Sequence, residues 1–163
     1  MKLTVRDETP DDVAAIEAVT VEAFRDVARS HRTEQYIVNA LRRAGALTVS
    51  LVAERDGVIV GHVAVTDGAT GWYGLGPISV RPAHQHTGVG AALMHAAIEA
   101  LRQRDAQGCV LLGDPAYYRR FGFTPDPGLT LDGVPPQNFQ ALKLGSTMPH
   151  GGVTYHAAFA ATS

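Results

Sequence analysis

Apolar residues recur along this chain at two spacings, every second position and every third or fourth, and the switches between them mark out strands and helices. Residues 2–6 read as an edge strand. Thr9-Pro10-Asp11-Asp12 has the composition of a helix start: a hydroxyl cap, a proline in the first turn, and acids facing the positive end of the helix dipole. Val13, Ile16, Thr20, Ala23, Phe24 and Val27 then repeat at helical spacing. A second helix is predicted over 33–44, with Ile37, Val38 and Leu41 inward and Gly45 closing it.

Two β-branched runs follow, 47–54 and 58–66, joined by Arg55-Asp56-Gly57, whose Asp-Gly pair tolerates the positive φ of a hairpin turn. From Val58 to Val65 the second run is apolar on both faces, the mark of a central strand covered on both sides. Residues 72–80 predict a further strand, interrupted by Gly74, Gly76 and Pro77, where a bulge or a close approach by other atoms is expected. Over 88–104, Val89, Leu93, Ala96, Ala97, Ala100 and Leu101 form one stripe of a helix, opposite His95, Glu99 and Arg102. A buried strand at 109–112, a helical turn at 115–120, a surface loop at 125–136 and strands at 121–124, 139–144 and 153–159 complete the pattern.

Composition narrows this picture without redrawing it. A chain of 163 residues matches one compact domain, 1–163. With 45% hydrophobic and 18% charged residues and a formal net charge of −2, it has no basic surplus for a phosphate backbone, and nucleic acid is not an expected partner. Charge enters at Arg6-Asp7-Glu8 before an apolar leader core forms, and no apolar run reaches the roughly 18 residues of a membrane span. A cytoplasmic location with no membrane partner is the expectation. The lone Cys109, within Cys-Val-Leu-Leu, reads as core.

The chemistry concentrates where the interrupted strand runs into the long helix, Ile78-Ser79-Val80-Arg81-Pro82-Ala83-His84-Gln85-His86-Thr87-Gly88-Val89-Gly90. The first N–H groups of a helix have no intrahelical partner and lie at its positive end, and glycines there let phosphate oxygens reach the backbone. A P-loop is excluded, because it needs a Gly-Lys pair and no lysine occurs between Gly61 and Leu142. A dinucleotide fingerprint would need Gly or Ala where Leu93 stands.

What remains, Gln85-x-x-Gly88-x-Gly90, resembles the Gln/Arg-x-x-Gly-x-Gly/Ala signature of the GNAT acetyltransferase superfamily. After the next helix and strand, Tyr117-Tyr118-Arg119-Arg120-Phe121-Gly122-Phe123 resembles that family's Phe-Tyr-x-x-x-Gly-Phe element, with Tyr117 in place of Phe. Leu75-Gly76-Pro77 and Leu112-Gly113-Asp114-Pro115 are similar to a bacterial subgroup of YhbS-like N-acetyltransferases.

The resemblance implies an α+β fold with a central, mostly antiparallel mixed sheet flanked by helices and splayed at strand 72–80. It implies acetyl-coenzyme A as co-substrate, an amine of a small molecule or peptide as acceptor, and no metal. It assigns Ile78, Ser79, Val80, Gln85, His86, Thr87, Gly88, Val89 and Gly90 to coenzyme binding and Tyr118 to the role of acid toward the leaving thiolate. A non-catalytic acyl-coenzyme A sensor on the same scaffold is the alternative.

Several readings stay open at this level. Glu22, Glu34, His62, Asp67 or water are the candidate bases toward the amine. His84 and His86 flank the cradle, but an i, i+2 pair without a third ligand does not make a metal site. Arg81, Arg119 and Arg120 are either phosphate contacts or surface charges, and Trp72 and Tyr73 border an acceptor pocket or pack a strand end. The chain reads as a monomer or a homodimer, for which residues 153–159 offer a pairing strand.

Overall fold

The computed structural model describes residues 2–28, 30–68, 71–126, 128–131, 133–146, 151–152 and 157–162. In chain order its strands are β1 Leu3–Asp7, β2 Leu47–Arg55, β3 Val58–Asp67, β4 Trp72–Val80, β5 Gly108–Leu112, β6 Thr124–Pro125, β7 Leu129–Thr130, β8 Phe139–Lys143 and β9 Gly151–Gly152. The helices are α1 Val13–Phe24, α2 Glu34–Arg43, α3 Val89–Gln103 and α4 Pro115–Tyr118. One sheet runs β1-β2-β3-β4-β5-β8-β6, with β4 and β5 parallel and every other neighbouring pair antiparallel. This is the mixed sheet with flanking helices that the motifs led us to expect, and β1 is its edge.

Alternation along β2 and β3 assigns the two faces. Val49, Leu51, Ala53, Val63 and Val65 join Val89, Leu93, Met94, Ala97, Ile98 and Leu101 of α3 in the main core. Val52 and Ile59 instead meet Ile16 and Val19 of α1 and Val38 of α2 on the other side. Two-sided burial explains the continuous apolar run of β3, eight consecutive positions of which are buried. The buried side of α3 is wider than the predicted stripe, since Met94 and Ile98 turn inward too. Helix α3 also seats tightly: a Cβ at Gly61 would stand 2.9 Å from Val89 Cγ1 and 3.0 Å from Leu93 Cδ1.

Four expectations need correction. Residues 121–124 are not one strand: Arg119–Phe121 close a 3-10 turn, Gly122 at φ 95° ends it, and pairing begins at Thr124. Of the strand expected at 153–159, residues 153–156 lie outside the described residues and Ala157–Ala160 form a 3-10 turn, in keeping with the poor strand propensity of alanine. Val27 does not extend α1, which ends at Phe24, and it remains 40% exposed. The loop predicted over 125–136 contains the short β7, which pairs in parallel with β9.

The sheet opens where the glycines interrupt β4. β4 and β5 pair only at Trp72↔Gly108, Tyr73↔Cys109 and Gly74↔Val110. Opposite β3, the register jumps from Val65↔Leu75 to Val63↔Ile78, so β4 carries one extra residue across Gly76 and Pro77. Beyond that bulge β4 follows β3 and leaves β5.

Candidate active site

A cavity of about 660 Å³ occupies the space opened by the bulge. Of the predicted coenzyme-binding positions, Ile78, Val80, Gln85, His86, Gly88 and Gly90 line it. Ser79, 1% exposed, and Val89, also 1%, are turned into the protein. The end of α1, with Val27 just beyond it, supplies an apolar wall of Ala23, Phe24 and Val27, and Val27 owes its exposure to that position.

Strand geometry directs the backbone of β4 toward the gap. Arg81 N–H donates to Val60 O across β3 at 2.9 Å. Because successive amides on a strand point to opposite sides, the N–H and C=O groups of Ile78 and Val80 point away from β3, to the side that β5 has left. Gln85 Nε2 reaches back to Val80 O at 3.2 Å and ties the loop to the strand.

The loop itself is bent into a cradle. His86 has φ 61° and Gly88 φ 91°, two left-handed residues that turn successive amides inward ahead of α3. For histidine that conformation is strained by roughly 1–2 kcal/mol. Arg55, from the β2–β3 hairpin, braces the loop from behind: Nη1 donates to Thr87 Oγ1 at 3.1 Å and to His84 Nδ1 at 3.2 Å. The Thr87 hydroxyl in turn donates to His84 O. Thr87 and His84 thus hold the loop, and of the two histidines it is His86 that borders the cavity. Sequence reasoning missed Arg55, which lies about 30 residues away and carries no local signal.

The two tyrosines of α4 part ways. Asp114 caps the helix by accepting from Ala116 N at 2.9 Å. Tyr118 packs on the main core, edge-on to Phe123 at 6.4 Å, and so close to Gly113 that a Cβ there would stand 2.3 Å from Tyr118 Cε2. Burial, with smaller contributions from Tyr117 and Asp114, pushes its phenol up to about 12. Tyr117, in place of the family's Phe, lines the cavity instead, and Arg120 stands beside it.

None of the candidate bases lines this cavity. Glu22 pairs with Arg81, which also donates to Ile59 O at 3.1 Å, so both charges brace α1 against the sheet. Glu34 accepts from Ser30 Oγ at 2.7 and 2.8 Å, and Asp67 is exposed at the end of β3. His62 is fully buried. The Glu8 carboxylate accepts from Ser50 Oγ and from Arg42 Nη2 at 2.8 Å, leaving Ser50 to accept from His62 Nε2 at 2.8 Å. That order fixes the neutral tautomer of His62, and burial lowers its pKa to about 4, with Glu8 opposing.

Trp72 and Tyr73 pack the strand end, Trp72 with Val110 and Phe139 and Tyr73 on the main core. Cys109 is buried, its thiol pushed up to about 12 by that burial. Among the described residues no group of three or more His, Cys, Asp or Glu is placed to hold a metal ion, and no helix is long and apolar enough to cross a membrane.

Known proteins share this fold. Residues 47–125 match the family model described as "Acetyltransferase (GNAT) domain". A GNAT family acetyltransferase from Brucella melitensis, solved in complex with acetyl-CoA, is 49% identical with a TM-score of 0.86, over 97% of this chain and 98% of that one. The GNAT family N-acetyltransferase YhbS from Escherichia coli, solved with CoA, is 30% identical, also at 0.86, over 100% of this chain and 94% of its own. The uncharacterized N-acetyltransferase YhbS of Escherichia coli strain K12 is 33% identical over 127 residues, 74% of this chain and 73% of its own.

Proposed function

The chain belongs to the GNAT N-acetyltransferase family, and on that basis we propose that it moves an acetyl group from acetyl-coenzyme A directly to an amine, with residues 1–163 acting as one domain. The observation that carries this reading is the convergence, in one cavity, of the outward-facing backbone of Ile78 and Val80 with the left-handed turn that opens α3. The residues suit such a donor: extended main chain for the amides of a pantetheine arm, and unspent helix N–H groups for a diphosphate.

Acetyl-coenzyme A supplies an activated thioester. In our reading the N–H of Val80 polarises its carbonyl, a contribution worth about 3 kcal/mol in well-studied oxyanion holes. The family motif gives the departing sulfur to Tyr118, which packs on the core directly beside the cavity-lining Tyr117. A phenol held at about 12 stays protonated at neutral pH, and giving its proton outright to a thiolate of pKa about 8.5 is uphill by about 5 kcal/mol, so Tyr118 shares the proton. Cys109, protonated and buried, has no part in a covalent intermediate. Glu22 is committed to Arg81, Glu34 accepts from Ser30, His62 is buried against Ser50 and Asp67 stands exposed at the end of β3, so in this reading water takes the proton of the incoming ammonium.

Incubating the protein with acetyl-coenzyme A and a panel of amines while following free thiol tests the proposal. Amine-dependent thiol release supports it. Binding of acetyl-coenzyme A with no turnover on any amine replaces it with the sensor reading, and absence of binding overturns both.

A further inference from the structure

Helix α4 puts a phenol into the cavity where the family motif has a plain phenyl ring. The Tyr117 ring is held edge-on between Tyr118, 4.9 Å between centroids, and Phe121, 5.6 Å, while Arg120 Cζ lies 4.6 Å from its centroid. Phenylalanine would make those same ring contacts, so packing does not account for the hydroxyl. The phenol oxygen stands 3.0 Å from where a Cβ on Gly90 would be, which places it against the first turn of α3. An anion seated on the N–H groups of that turn lies within reach of the phenol, with the Arg120 cation on the same wall.

We propose that Tyr117, supported by Arg120, is a second coenzyme-binding element that donates its hydroxyl to the diphosphate of the donor, a task separate from that of Tyr118. The inference rests on the coenzyme reading above and deepens it. Gly90 then has two duties: it gives an anion access to the helix start, and it leaves room for the phenol that lies against the same turn. Selection among acyl donors follows, because a thioester without a diphosphate gains nothing from this pair.

Calorimetry with coenzyme A on the full chain provides the test, comparing wild type with Tyr117→Phe and Arg120→Met. Tyr117→Phe keeps the ring contacts and is expected to raise Kd about 3- to 10-fold. Arg120→Met is expected to weaken binding by a similar factor and to flatten its salt dependence. Pantetheine, which has no phosphate, is measured by its displacement of coenzyme A, and Tyr117→Phe is expected to leave its affinity unchanged. An unaltered coenzyme A constant for Tyr117→Phe, or an equal loss for pantetheine, overturns this inference alone. Wild-type protein that binds no coenzyme A overturns the functional reading and this inference with it.

Discussion

The Tyr117 phenol oxygen and Gly90 are matched in size, with 3.0 Å between that oxygen and the place of a Cβ at Gly90. Gly90→Ala therefore acts in two directions. Replacing glycine near a helix start with alanine favours the fold by up to about 1 kcal/mol, and the displaced group is the far end of a side chain that can swing. Thermal stability is expected to hold or rise slightly, while coenzyme A affinity drops about 10-fold. Equal losses of stability and affinity would mean that the helix start had been deformed.

Tyr118→Phe isolates the acid. The ring seat on Gly113 and the contact with Phe123 survive the substitution, so only the hydroxyl goes. Turnover is expected to fall roughly 10- to 1,000-fold with coenzyme binding nearly unchanged. A near-normal rate removes Tyr118 from the mechanism and leaves the leaving thiolate to solvent.

Gly61→Ala tests how α3 is seated. The added methyl would meet Val89 Cγ1 at 2.9 Å, Leu93 Cδ1 at 3.0 Å and the backbone oxygen of Ser79 at 3.1 Å. Two are branched side chains in a packed core and the third cannot rotate away, so a loss of about 1–3 kcal/mol is expected in urea unfolding. Coenzyme affinity should fall as well, because α3 can relieve the contact only by lifting from the sheet on which its first turn is aimed.

Acid should loosen the protein through His62 before it protonates the carboxylates. An ordinary histidine titrates at 6.5, whereas burial holds His62 at about 4. Between those values the unfolded chain binds a proton that the folded chain refuses, so stability declines as pH falls through that window. The decline between pH 7.5 and 5 is expected to be about 2 kcal/mol and to be reduced in His62→Gln. Glu8 deepens it only at lower pH: burial pushes its carboxyl up from 4.5, but Arg42 and Ser50 outweigh that and hold it down, so its contribution is lost only below its ordinary range. An identical pH slope in wild type and His62→Gln would assign the effect to other groups.

Much of this was legible in advance because it was periodic or punctuated. The β3 run showed its two-sided burial, and Gly74, Gly76 and Pro77 marked the place where the sheet opens. The cradle could be read because glycine is the residue such a turn selects. Arg55 was hidden because its partners are distant in sequence, and a charged hairpin residue looks the same whether it braces a loop or meets solvent. Met94 and Ile98 fell outside the predicted stripe because α3 is covered over a wider arc than a single row of positions. The orientations of Tyr117 and Tyr118 were not readable at all. Two adjacent aromatic residues on a one-turn helix differ only in rotation, which the capping by Asp114 and the room beside Gly113 decide.

The parting of β4 from β5 after three residue pairs leaves a seam in the middle of the molecule, whose β4 edge is a row of outward-facing peptide groups. Whatever lies along that seam is held by atoms that every amino acid carries, so drift at Ile78 or Val80 leaves the grip intact. A scan of conservative replacements along β4 would look silent, and an imino acid at either position would not.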